Sequence, residues 1–211
     1  LSGRQPNQIY NNCAGKHLAM LTSCIVNNFP IKNYVDFDHP HQKNIRKIFS
    51  KFTENVIPKN NYGIDGCSAP QYAFTIEKLG KALSNLLNSY NGNFEYSENI
   101  QTMINAILDN PKFIGGSNNL DSNLIKISNK NIFCKGGAEG VFLFVHLKKR
   151  IFGILKVKDG NERALPSTMY TLMKKFRILN KEELNDFISW NKTDLYNHAK
   201  IKVGSITTII E

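Results

Sequence analysis

The sequence predicts an α+β fold in which helices pack on an antiparallel sheet. Three observations carry that expectation. Apolar residues recur at helical spacing through the first half of the chain. Two β-rich runs, Val141–Leu147 and Ile151–Val157, bracket Lys148-Lys149-Arg150 as strands bracket a hairpin turn. A further helical stretch, from about Ala164 to Arg177, follows them. No repeat, low-complexity tract or linker interrupts the 211 residues, so one domain spanning 1–211 is expected.

The elements follow in order. Leu18, Leu21, Ile25 and Val26 fall at helical spacing between Cys13 and Asn28, with Asn11-Asn12 placed to cap. Pro40 opens a second helix running to about Thr53, and His39 before it can serve as its cap. A loop rich in Gly, Asn and Pro runs from Pro58 to Pro70 and encloses Gly63-Ile64-Asp65-Gly66-Cys67. Such a shaped loop is the usual carrier of chemistry on a scaffold. Two amphipathic helices come next, Thr75–Tyr90 and Ser97–Asp109, whose apolar positions need only core packing. Ile132-Phe133-Cys134 then begins the strand-rich part. The helix after the hairpin is followed by a short one over Lys181–Ser189 and a strand-like run at Ile201–Ile210.

Composition narrows the function. No run of eighteen apolar residues occurs, so no membrane span and no membrane partner is expected. Net charge is +10 with a pI near 9.4, but the cations are mostly dispersed lysines and only five are arginines. That pattern argues against a nucleic-acid partner. The four cysteines, at 13, 24, 67 and 134, lack the spacing of a secreted disulfide scaffold, and a reducing cytoplasm is the expected compartment. Leu1-Ser2-Gly3-Arg4-Gln5-Pro6 reads as a loop entered midway, which suggests a missing N-terminal piece.

Three constellations can carry chemistry. Cys13-x-x-Lys16 opens a helix and Asp65-x-Cys67 sits in the Gly-rich loop. Two thiolates suit zinc, with a neutral lysine amine, a carboxylate or water completing the set; the alternative is buried, inert thiols. Lys135-Gly136-Gly137 ends an apparent strand, where an ammonium beside glycines can approach a substrate carboxylate or a developing anion, or simply be solvated. Ser189-Trp190-Asn191-Lys192 is the one Ser-x-x-Lys. It lies at a helix end, where a serine cannot pass its proton to a lysine one turn on, and it is rejected as a nucleophile.

Four ordered blocks resemble the asparaginase II family of rhizobial-type L-asparaginases. They are Asn11-Asn12-Cys13-Ala14-Gly15-Lys16-His17, Asp38-His39-Pro40-His41-Gln42, Gly63-Ile64-Asp65-Gly66-Cys67-Ser68-Ala69-Pro70 and Lys135-Gly136-Gly137-Ala138-Glu139-Gly140-Val141. The resemblance implies a serine β-lactamase- and glutaminase-like fold with its N-terminal part missing here. It implies zinc on Cys13, Lys16 and Cys67, with Asp65 beside a bound water. Lys135 and Asp65 would be catalytic, and His17 and Gly136 would bind substrate. The implied reaction is hydrolysis of L-asparagine to L-aspartate and ammonia through a serine acyl-enzyme, its nucleophile upstream of these blocks. Glutamine or another small amide is the alternative substrate, and a non-catalytic zinc-binding fragment or pseudoenzyme the alternative class. A second copy of the chain is a candidate partner. Ala14 stands for the family's usual Ser, Gly136 for its Thr, Tyr10 for a common His and Asn119 for an Arg. Gly136 thus lacks a hydroxyl and Asn119 a cation that would hold substrate.

Overall fold

The computed structural model describes residue 3 and residues 5–210. Leu1, Ser2, Arg4 and Glu211 lie outside the described residues, and with them part of the N-terminal stretch read above as a loop entered midway. Helix outweighs strand three to one, 45% against 15%, and every strand pair is antiparallel. That mixture agrees with the α+β expectation. The chain folds as two compact units, Leu1–Ala82 and Leu83–Glu211.

The first unit contains α1 (Ala14–Val26), α2 (Pro40–Thr53) and a hairpin of β1 (Tyr62–Ile64) and β2 (Pro70–Tyr72). The His39 ring caps α2 as its sequence position suggests: Nδ1 accepts from the His41 amide at 3.1 Å, and Pro40 fills the first turn. In α1 the outcome differs from the sequence reading. Met20 and Cys24 are buried, whereas Leu18, Ile25 and Val26 are exposed. The Pro58–Pro70 segment, expected as a shaped loop, contains β1 and leads into β2 as a short ladder, with Tyr62 opposite Tyr72 and Gly63 opposite Gln71. Two three-residue strands interrupted by turn-formers leave too little alternation to recognise.

The division between units falls within α3 (Ile76–Tyr90), which contributes to both. In the second unit α4 (Ser97–Asp109), the short α5 (Lys112–Gly115) and α6 (Leu120–Ile127) precede the sheet. β3 (Ile132–Gly137), β4 (Val141–His146) and β5 (Ile151–Lys156) form it in the order β3-β4-β5, with Lys135 opposite Leu143 and Gly136 opposite Phe142. α7 (Leu165–Lys175) and α8 (Lys181–Phe187) follow. α8 starts on a full capping box, Asn180 and Glu183 each accepting the other's backbone N–H. Phe142, Val145, Ile104, Leu124, Ile125, Met169, Met173 and Phe187 make one nearly solvent-free core. Of the expected strand at 201–210 only β7 (Lys202–Ser205) forms, paired with β6 (Asp194–Tyr196), which the sequence pattern did not suggest.

The β3–β4 turn explains one glycine. Gly140 has φ +67°, and a Cβ there would sit 2.6 Å from that of Val157. Only glycine closes this turn and fixes where Lys135 and Gly136 end on their strand.

Candidate functional site

The first cluster is built from the start of α1 and the β1–β2 loop. Asn11 Oδ1 accepts from the Cys13 amide at 2.8 Å, an Asx turn that delivers Cys13 to the N-cap position of α1. A serine or asparagine there would spend its side chain on the helix. Cys13 makes no such bond, and its thiol instead meets that of Cys67. Lys16, one turn into α1, places Nζ 2.7 Å from Asp65 Oδ2 and also contacts the Cys67 thiol. Asp65 shapes its own loop: Oδ1 accepts from the amides of Cys67 and Ala69, at 2.9 and 3.1 Å. Gln71 Nε2 donates to Oδ2 beside Lys16, at 2.8 Å. Ser68 turns the chain at φ +72°.

The charges follow from these contacts. Burial alone would raise the Asp65 carboxyl, but bonds from the Cys67 thiol, Lys16 and two amides hold it well below the ordinary carboxylate range. Burial would lower Lys16, yet Asp65 and Cys67 together raise it. The Cys13 thiol is pushed up, first by its bond with Cys67 and then by desolvation. Apart from any metal, this is an ammonium–carboxylate pair beside two thiol side chains.

The donor chemistry fits zinc in part and on one condition. Among the described residues no three His, Cys, Asp or Glu side chains converge as metal donors. Two sulfurs and the Lys16 nitrogen do converge, so a metal would need that amine neutral and a fourth donor from solvent. Asp65 would keep three donors of its own if Lys16 turned away. Cys24 and Cys134 are fully buried, Cys134 with its thiol pushed well up by desolvation, and both fit the inert alternative.

His17 follows Lys16 and lines a cleft of about 640 Å³ together with Cys67 and Ser68. Its Nδ1 shares a hydrogen bond with the Tyr34 hydroxyl, and its Nε2 is buried with no partner among the described residues. The structure therefore brings Cys13, Lys16, Asp65 and Cys67 together, with His17 beside the cleft that Cys67 also lines.

Lys135 and Gly136 belong to the second unit. Lys135 Nζ donates to the Gly136 carbonyl and lies 3.6 Å from Asp121 Oδ2, its side chain 44% exposed. The same Oδ2 accepts from the Gly136 amide at 3.1 Å. A Cβ on Gly136 would meet Asp121 Oδ2 at 3.6 Å and Phe142 at 3.7 Å, ordinary contacts, so the strand end has room for a Cβ there. Asp121 was not singled out from sequence. One signal was present: Asp121, Leu124, Ile125 and Ser128 follow helical spacing, all four are buried, and a carboxylate on such a stripe is unusual. Ser189 lies on a single 3-10 turn that follows α8.

The family model described as L-asparaginase II matches residues 1–208 of the 211. A search of curated proteins finds no match.

Proposed function

The chain belongs to the L-asparaginase II family, and we propose that it is the metal-binding and cation-bearing portion of an amidohydrolase that converts L-asparagine to L-aspartate and ammonia. The observation that carries this reading furthest is the Lys135–Gly136 strand end. A half-exposed ammonium stands there beside a glycine, tethered by a buried carboxylate. An ammonium so placed holds a substrate carboxylate or steadies the anion that develops as an amide carbonyl is attacked.

The chemistry is acyl transfer. A serine oxygen adds to the side-chain amide carbon, its proton passes by way of a basic group to the leaving nitrogen, and ammonia departs. Water then cleaves the ester and releases aspartate. The one Ser-x-x-Lys in the chain is on a 3-10 turn, so we place the nucleophile in sequence outside these 211 residues, within a serine β-lactamase-like fold that includes them. Cys13, Cys67 and a neutral Lys16 would hold zinc, which would supply a Lewis-acidic centre and pin the Cys67 loop to α1. Asp65, anionic and already bound to three donors of its own chain, orients Lys16 and that loop. Without metal its depressed pKa keeps it ionised, an acceptor of hydrogen bonds. His17 would offer its unpartnered Nε2 to a polar ligand group in the adjoining cleft.

The same observation about Ser189 favours a second reading, a zinc-binding relative without turnover. Ammonia release from asparagine and from glutamine, measured on the natural gene product with its flanking sequence, separates them. Release with asparagine preferred supports the proposal. Zinc binding without release from either amide supports the second reading, and release from glutamine alone changes the substrate.

A further inference from the structure

We infer that Asp121 is a positioning residue: its buried carboxylate takes the Gly136 N–H, which holds the strand end, and faces the Lys135 ammonium so as to fix the orientation from which that cation meets substrate. The inference rests on the proposed role of Lys135. Its support is geometric. The Asp121 side chain is only 7% exposed, and a buried carboxylate is retained at little cost only where partners satisfy it well. Oδ2 takes the Gly136 amide at 3.1 Å and faces Lys135 Nζ at 3.6 Å, while Oδ1 accepts from the Ser122 amide at 3.3 Å.

The surrounding chain is shaped to this carboxylate. A Cβ on Gly115 would lie 2.1 Å from Asp121 Oδ1 and 2.7 Å from Ser122 Oγ, so the end of α5 can close over α6 only without a side chain there. Ser122 Oγ donates to the Pro111 carbonyl at 2.9 Å and ties down the same segment. The Cys134 thiol, one residue before Lys135, contacts the Asp121 carbonyl at 3.4 Å. Backbone and side chain of one residue thus grip Cys134 and Gly136 of β3 and, facing its Nζ, the lysine between them. An unpaired lysine has four freely turning bonds, and a misplacement of about 1 Å can cost on the order of a hundredfold in rate. Asp121 narrows that freedom, together with the Gly136 carbonyl to which Nζ also donates.

The test is a double-variant cycle on the natural gene product. Asp121→Asn keeps the size and an acceptor for the Gly136 amide but removes the charge facing Lys135. It is expected to lower kcat by about tenfold or more with KM and zinc content little changed. Once Lys135 is already alanine, the same change should cost no further rate. Equal losses in both backgrounds would mean that Asp121 serves folding alone, and would overturn the inference. Should Asp121→Asn fail to fold, Gly115→Ala displaces the carboxylate by another route and enters the same cycle. A second readout is free of turnover: the Gly136 amide resonance of the ¹⁵N-labelled natural gene product should move in Asp121→Asn. An unmoved resonance overturns the inference whatever the activity. A moved resonance in a wild type that hydrolyses no amide instead overturns the amidase reading and leaves the grip on β3 standing.

Discussion

In the first unit the polar cluster stands on little packing. Among its described residues Met20, Cys24, Phe52, Ile57, Ala69 and Pro70 are the buried apolar ones, while Leu18, Ile25, Val26, Val56 and Ile64 face solvent. Cys13, Lys16, Asp65 and Cys67 are held by one another and by the turn that Asp65 bonds together. Lys135 and Asp121 in the second unit are mounted on a continuous core of β3, β4, α6 and α7 side chains. Polar contacts set the geometry of the first cluster, and packing sets that of the second. The first should therefore respond to metal and to pH as a whole, whereas the second should lose function one side chain at a time.

Metal removal is the largest expected effect. Cys13→Ser or Cys67→Ser should abolish zinc binding, a site of this type being worth on the order of 10 kcal/mol, while Cys24→Ala and Cys134→Ala should retain it. Metal analysis of the purified variants decides. Equal loss from Cys13→Ser and Cys24→Ala, or a wild type without zinc, would break the distinction between reactive and inert thiols.

The metal-free protein sharpens the comparison through pH. The folded Asp65 carboxyl lies below its unfolded value of about 3.9, so its stabilisation is complete above that pH and is lost as pH falls through the folded value. Asp65→Asn should cost about 1–3 kcal/mol at neutral pH, and the gap to wild type should close on acidifying below pH 4. Lys16, raised in the folded state, runs oppositely: its contribution is complete below about pH 10.4 and fades as pH rises beyond it. Thermal melts across pH with chelator present measure both. A gap that stays open at the lowest pH would show that Asp65 acts by shape and not by charge.

How the sequence stood to these sites differs between the units. Cys13, Lys16, Asp65 and Cys67 were legible because each sits within a contiguous block, and the Asx turns at Asn11 and Asp65 are local. Local chemistry also announced the His39 cap and the hairpin at Lys148-Lys149-Arg150. Asp121 was not legible as a partner of Lys135, because the pair forms only when α6 packs on β3. β6 was missed for a related reason. Three residues around Leu195 gain their ladder only from β7, with the Lys202–Asp194 ion pair at 2.7 Å beside it. Leu18, Ile25 and Val26 show the converse failure: helical periodicity identifies an apolar face but not whether this chain covers it.

A small effect is expected where sequence chemistry is present without geometry. Ser189→Ala, on the exposed 3-10 turn, should change stability by less than about 0.5 kcal/mol and leave ammonia release unaltered. Lost turnover would mean that the nucleophile had been placed wrongly.

The most direct test of a division between a metal-holding first unit and a cation-bearing second unit is Lys135→Ala in the natural gene product, with ammonia release, zinc content and melting temperature measured on one preparation. The expected result is a loss of about 2.7–4 kcal/mol of transition-state stabilisation, a hundred- to a thousandfold in rate. Zinc should be unchanged, and stability should shift by at most about 1 kcal/mol, since Lys135 is 44% exposed and its ion pair is screened. An unimpaired rate, or zinc lost together with the rate, would contradict it.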